Sequence, residues 1–444
     1  MLRINLFGKK ILSMIIISST LILTGCSNDE NPVESNGNPA KVSGRISTTS
    51  SSSNVLGKAS ATEAVEGATV VLAQVQADGS LKTVSTQSVQ TDVNGKFVIE
   101  TKLSDEKNLV VVAEKASAKW KAVVSAKVKS GATVYAPPLN TESTAQADIY
   151  IKLVGQGKAN ENSESDLKWY INSEAAAQIH GNADAEAKII GAIQAQNEAT
   201  VKAAGNSYFG LTNAQIQAML KAKTDASAKL DEELYMNGDS DSGVESAFNN
   251  YENSVIAATA SSNINASIYA GLMRIGLSAY TNASASMQSQ ARFATSKSFY
   301  LRYALALNYA MKQQFQAAGA SNAQVNSVNS AGVTLYSSIK NSTDADGIAN
   351  AFAQYQSSIK SELKLTLSSH ASAVDSVDAT INAANGAKVI LSSSINFGVS
   401  LDVIVNAYVT FFNAVKTTSQ TAFAGATSTQ ASAAAQILIF ATVN

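Results

Sequence analysis

All four prolines, Pro32, Pro39, Pro137 and Pro138, lie before residue 139, and the 306 residues from 139 to 444 contain none. A proline inside a helix removes a backbone donor and collides with the preceding turn, at a cost of roughly 3 kcal/mol. So long a stretch without one, rich in Ala, Gln and Lys, is predicted to be helical. Upstream the texture differs: Val, Thr and Ile alternate with polar residues, and turn dipeptides recur at short intervals, as in strands. At 444 residues the chain also exceeds what one hydrophobic core organises. The expected fold class is multidomain α+β, an N-terminal Greek-key β-sandwich followed by an all-α antiparallel helical bundle.

The N-terminus reads as a targeting segment. Arg3, Lys9 and Lys10 precede an uncharged run from Ile11 to Leu23, too short to span a bilayer and ending in small residues, which is the pattern of a secretory signal. The run closes on Leu23-Thr24-Gly25-Cys26, and Cys26 is the only cysteine. These residues resemble the lipobox of bacterial lipoproteins. The resemblance implies a signal peptide over 1–25, a diacylglyceryl group on the Cys26 thiol, and the membrane as a partner through that lipid. Ser27 stands where an aspartate would resemble the inner-membrane retention signal of enteric bacteria, so outer-membrane placement is implied; Asp29 and Glu30 resemble the acidic tract that sends some lipoproteins to the cell surface. The expected location is the cell envelope, at the periplasmic face or the surface. Residues 26–40 are polar and cannot offset their own ordering entropy, so a flexible tether is expected there.

Composition narrows the chemistry. With 33 basic against 34 acidic residues, nothing favours nucleic acid as a partner. With the single thiol taken up by the lipid, disulfides and cysteine catalysis drop out. Two histidines, His180 and His370, cannot assemble the usual His/Cys zinc sets, and neither opens an HExxH pattern. No cofactor or metal is expected.

Residues 41–154 are predicted to form the sandwich. Strands are expected over Val42–Ser47, Ala68–Gln76, Leu81–Gln90, Lys96–Thr101, Asn108–Glu114, Trp120–Val128, Thr133–Ala136 and Ala147–Leu153, with Asp78-Gly79, Asn94-Gly95 and Ser130-Gly131 supplying positive φ for tight turns. Val42-Ser43-Gly44-Arg45-Ile46, Val65-Glu66-Gly67-Ala68-Thr69-Val70-Val71-Leu72 and Thr91-Asp92-Val93-Asn94-Gly95-Lys96-Phe97-Val98-Ile99 resemble successive strands of carboxypeptidase regulatory-like domains, transthyretin-like sandwiches common in bacterial surface proteins. The Ser/Thr-rich Thr48–Ser60 segment is longer than that family's usual turn. The resemblance implies spacing, stability or adhesion, and carries over no active-site residue.

Residues 161–444 are predicted to be helical and to contain an internal duplication. Thr212-Asn213-Ala214-Gln215-Ile216-Gln217-Ala218-Met219 recurs as Ser321-Asn322-Ala323-Gln324-Val325-Asn326-Ser327-Val328, at an offset of 109. Gly243-Val244-Glu245-Ser246-Ala247-Phe248-Asn249-Asn250-Tyr251 recurs as Gly347-Ile348-Ala349-Asn350-Ala351-Phe352-Ala353-Gln354-Tyr355, at an offset of 104. Thr212 and Ser321 stand where N-caps are expected. Repeat units are therefore placed near 165–293 and 296–385, with further helices near 387–416 and 418–443. Two copies are few for an open solenoid, which favours a closed bundle.

Several residue groups are candidates for chemistry. Asn237-Gly238-Asp239-Ser240-Asp241-Ser242-Gly243 gathers carboxylates as calcium loops do, but Ser242 stands where such a loop needs glycine and Phe248 where it needs a bidentate glutamate, so solvated turn residues are expected. Of the four arginines after Cys26, Arg274, Arg292 and Arg302 fall within 29 residues, beside Tyr300, Tyr303 and Tyr309. They are the candidate anion site, set against surface pairing and an aromatic core stripe. Asp239 and Glu245 are the candidate carboxylates for hydrolysis. From Val389 to Asn444 the only charged residues are Asp402 and Lys416, but Asn396, Asp402, Asn406 and Asn413 argue for a buried core or interface over a membrane span. The leading expectation is a non-enzymatic, lipid-anchored envelope protein with a structural, adhesive or partner-binding role, by contact with an envelope protein or by self-association. The rival expectations are a solute-binding lipoprotein for a small anion and a periplasmic carboxylate-dependent hydrolase.

Overall fold

A computed structural model describes residues 38–47, 63–160, 162–238, 240–396 and 398–444. Cys26, the signal segment, nearly all of the tether, the Thr48–Ser60 segment and Asp239 lie outside the described residues. The chain is mixed α/β, with a β-sheet region over residues 40–135 followed by thirteen helices among the described residues.

The strands are β1 (Ala40–Arg45), β2 (Thr69–Val75), β3 (Leu81–Thr83), β4 (Val89–Gln90), β5 (Lys96–Thr101), β6 (Leu109–Lys115), β7 (Ala118–Val124) and β8 (Thr133–Tyr135). One sheet runs β5-β1-β8 and the other β3-β2-β6-β7, with β4 also on β2. All pairings are antiparallel except β1 with β8, which is parallel. The turn before β5 holds Gly95 at φ +71°, and a Cβ there would lie 2.5 Å from the Ile46 carbonyl oxygen, so the site requires glycine.

Strand β6 explains how the sheet region meets the rest of the chain. Its continuous run Leu109-Val110-Val111-Val112-Ala113 is buried on both faces, as expected of a strand covered on two sides. Leu109, Val111 and Ala113 join Val42, Val70, Leu72 and Ile99 between the two sheets. Val110 and Val112 join Val75 and Val123 in the large core that continues through the helices. The sheet region and the helices therefore share a core across residues 154–161, where the sequence placed a domain boundary.

The element covering that outer face is α1 (Thr141–Gly155), in place of the strand expected over Ala147–Leu153. Alternation in Ala-Asp-Ile-Tyr-Ile-Lys-Leu imitates a strand, but Ala145, Ile149 and Leu153 also recur at helical spacing and are all buried. Asn140 decides the matter locally: its side chain accepts from the Ser143 N–H at 2.9 Å while Ser143 Oγ accepts from the Asn140 N–H, a complete capping box immediately after Pro137-Pro138. The expected strand over Leu81–Gln90 is likewise two short pieces, β3 and β4.

The remaining helices are α2 (Ser163–Tyr170), α3 (Ser173–Ile179), α4 (Ala183–Ala204), α5 (Asn213–Asn237), α6 (Asp241–Ser261), α7 (Ala266–Ala283), α8 (Ser289–Ala317), α9 (Asn322–Asn341), α10 (Ala345–Thr366), α11 (Ala371–Ser394), α12 (Leu401–Ala422) and α13 (Ser428–Thr442). The unit boundaries expected near 293–296 and 385–387 fall inside α8 and α11, and the break expected near 416–418 falls inside α12. Uniform Ala- and Ser-rich helices give no composition change at their ends, so only caps mark them. Two caps were legible, Thr212 with Gln215 and Ser321 with Gln324, which form capping boxes at the starts of α5 and α9; Ser240 and Asp344, not singled out as caps in the sequence, cap α6 and α10. Helix α5 has 25 residues and α9 has 20, a difference that absorbs the five-residue change of offset between the two sequence matches.

In the near-neutral C-terminal region α13 is buried nearly all round from Ala433 to Thr442, whereas α12 is core on one side only. In α12, Ile404, Val405, Tyr408, Phe411, Phe412 and Val415 are buried, while Asp402, Asn406 and Asn413 are exposed. No helix among the described residues is long and apolar enough to cross a membrane.

Candidate functional site

Helix α2 is only eight residues long, yet every residue in it except the half-buried Glu164 is buried. Buried charges must find partners or forgo their charge, so the surroundings of Asp166 and Lys168 are dictated by what α2 carries. On one side, Asp166 Oδ1 accepts from Arg302 Nη1 at 3.0 Å, with Lys223 Nζ 3.6 Å away. Arg302 Nε donates to Glu252 Oε2 at 3.0 Å and Nη2 to the Tyr269 hydroxyl at 3.4 Å. Its guanidinium carbon also lies 5.5 Å from the ring centroids of both Trp169 and Tyr251. Two acids from α2 and α6 thus meet two bases from α5 and α8, all nearly inaccessible. Burial works against the Arg302 charge, but Glu252 and the surrounding tyrosines hold its pKa above the ordinary guanidinium value. Burial lowers the Lys223 amine, against the pull of Asp166.

On the other side, Lys168 bonds Asp231 of α5 and the Ser125 hydroxyl just after β7, and the Ser125 N–H donates to Asp231 Oδ2 at 2.8 Å. One turn back, Glu164 Oε1 accepts from the Tyr150 hydroxyl of α1 at 2.9 Å, and that hydroxyl lies 2.6 Å from Asn108 Oδ1 at the start of β6. Burial pushes the Glu164 carboxyl up to about 7, with Lys168 pulling the other way. Asp231 is raised as well, by burial, against the same lysine. The short α2 therefore joins sheet and helices through two adjoining sets of buried charges.

The three arginines singled out in the sequence do not share a site. Arg302 is the centre of the first charge cluster. Arg274 donates to Asn444 Oδ1 at 3.0 Å and the Val443 carbonyl at 3.2 Å and lies over the Tyr408 ring, while Arg292 donates to the Ala285 carbonyl at 3.1 Å. Glu245 accepts from Lys340 at 2.7 Å. Of the loop before α6, Ser240 is the N-cap and accepts from the Gly243 N–H at 3.1 Å. His180 Nδ1 is 3.8 Å from Asp148 Oδ2, and His370 Nδ1 is 2.9 Å from Ser369 Oγ at the start of α11. No group of three or more His, Cys, Asp or Glu residues able to hold a metal ion occurs among the described residues. An open recess of about 710 Å³ lies along α9 and the start of α10, lined by Val333, Ser337, Asn341, Asp344 and Asn350 among others; Arg274, Arg292, Arg302 and Glu245 do not line it.

Sequence reasoning found Arg302 but missed Asp166, Lys168, Lys223, Asp231 and Glu252. The one local signal was Glu164-Ser165-Asp166-Leu167-Lys168-Trp169-Tyr170, three charges running directly into two large aromatic residues. Comparison with known protein families, with curated proteins and with solved structures finds no match to this chain.

Proposed function

We propose that this chain is a non-enzymatic, lipid-anchored cell-envelope protein, held at the membrane through Cys26 and a polar tether, that presents its joined sheet and helices in a structural, adhesive or partner-binding role. The observation that carries the reading is the tetrapeptide Leu23-Thr24-Gly25-Cys26 at the end of a charged-then-apolar leader, with the only thiol of the chain at its last position. The partners of the candidate residues support it further. A guanidinium that binds a solute anion must be free to do so, and Arg302 is matched by Asp166 and Glu252. A hydrolytic carboxylate must reach a substrate, and Glu245 is paired with Lys340.

Within this reading, the sheet region is a Greek-key sandwich of the carboxypeptidase regulatory-like type, and the α5–α6 and α9–α10 hairpins descend from one duplicated unit. Supporting the second point are the paired capping boxes and the matched burial of Phe248 with Tyr251 and of Phe352 with Tyr355. Growth of cells with a labelled fatty acid, followed by fractionation, tests the function. Label on the protein and its presence with outer membranes are expected, both lost in Cys26→Ala. An unlabelled wild type, or a Cys26→Ala variant still retained by membranes, contradicts the reading.

A further inference from the structure

Among the described ion pairs, Lys168 with Asp231 stands apart, because its side chains are 3% and 0% exposed and the lysine has that carboxylate to itself. The other buried lysine pair differs in kind: Lys223 is 3.6 Å from Asp166, whose same oxygen is taken by Arg302. Lys121 with Asp148 keeps both partners in contact with water, and Lys152 with Glu186 keeps the lysine so. Around Lys168 and Asp231 the groups needed for acyl transfer are already in place. Glu164, one helical turn before Lys168 on the same face of α2, interacts electrostatically with both members and is fixed by Tyr150. The Ser125 N–H points at Asp231 Oδ2, where negative charge would build if the carboxyl carbon were attacked.

We propose that Lys168 and Asp231 are joined by an autocatalytic amide bond, with Glu164 as the proton carrier. The Lys168 ammonium passes a proton to Asp231, and the free amine attacks Cγ of the resulting neutral carboxyl. The tetrahedral oxyanion forms against the Ser125 N–H. Glu164 takes the extra proton from the nitrogen and hands it to the departing hydroxyl, which leaves as water. One ammonium and one carboxylate become one secondary amide and one water, with no oxidant, reductant or activated co-reactant. Water is the by-product, and a site closed to it favours the amide, while fixed apposition supplies the effective concentration that two free side chains lack. Burial raises Asp231, which favours the neutral carboxyl that attack requires, and brings Glu164 to about 7, where it can both take and return a proton. The bond would link α2 to α5 across 63 residues of sequence and lock the joint that Ser125 ties to the sheet. It does not depend on the lipid anchor.

The test is mass spectrometry of the purified full chain after denaturation and tryptic digestion. The expected product is one branched peptide holding both Lys168 and Asp231, lighter than its two parts by one water and uncut at Lys168. Lys168→Arg removes the amine nucleophile, and Glu164→Gln keeps the shape and the Tyr150 contact while removing the proton carrier; both should give separate linear peptides. Linear peptides from the wild type overturn the crosslink. A branched peptide from Glu164→Gln overturns the role given to Glu164.

Discussion

Arg302 and Asp166, 136 residues apart in sequence, meet at 3.0 Å in a position where neither is more than 1% exposed. A buried pair of this kind contributes little relative to well-packed apolar residues, but removing one member strands the other. Arg302→Ala should therefore destabilise the chain by about 3–5 kcal/mol, because Asp166 and Glu252 lose their shared cation. Chemical denaturation measures it; a variant as stable as wild type means the cluster is hydrated in solution.

The paired hairpins make a symmetrical prediction. Phe248 packs against Trp169 with ring centroids 4.5 Å apart and planes tilted by 59°, and Phe352 lies 5.7 Å from Tyr300 and 6.2 Å from Tyr303. Both are 5% exposed. Each Phe→Ala change should cost about 3–5 kcal/mol through lost burial and a residual cavity. Thermal denaturation of both variants checks this, and a wild-type melting point in either removes the equivalence of the two sites.

Helix packing gives predictions of opposite sign. Gly332 sits where a Cβ would come 2.3 Å from the Asn308 side chain, so Gly332→Ala should push α9 from α8 and destabilise. Gly386, inside α11, has nothing within 4 Å of its would-be Cβ, and Gly386→Ala should stabilise by about 0.5–1 kcal/mol through helix propensity. Melting temperatures that move in the same direction for both contradict the packing described.

The Glu164 carboxyl sets a pH dependence. Its pKa is raised from 4.5 in the unfolded chain to about 7 in the fold, so the folded state binds its proton more tightly. The stability this gives is present below pH 4.5 and is lost as pH rises through about 7. Glu142, raised by burial, adds a contribution of the same sign. Denaturation midpoints should fall between those pH values in wild type and fall less in Glu164→Gln; equal slopes contradict the assignment.

Much of the architecture was legible because it rests on local physics. The helical tendency after the prolines, the turn glycines and the caps Thr212 and Ser321 rest on signals carried by the residues themselves, and the structure bears them out. Helix α1 was misread because alternation and helical spacing coexist in Ala147–Leu153, and the decisive signal lay upstream in Asn140 and Ser143. Of the charge cluster only Arg302 stood out in the sequence. Asp166 looks like a solvated turn residue until Arg302 and Lys223 arrive from α8 and α5, and nothing in the spacing of those residues announces the meeting.

The anchor is tested most directly at the N-terminus of the protein extracted from envelopes. Mass spectrometry of its N-terminal peptide should show a chain that begins at Cys26, with a diacylglyceryl thioether on that residue and none of residues 1–25 attached. A peptide carrying unmodified Cys26, or one that retains the leader, contradicts the proposed lipid-anchored envelope protein.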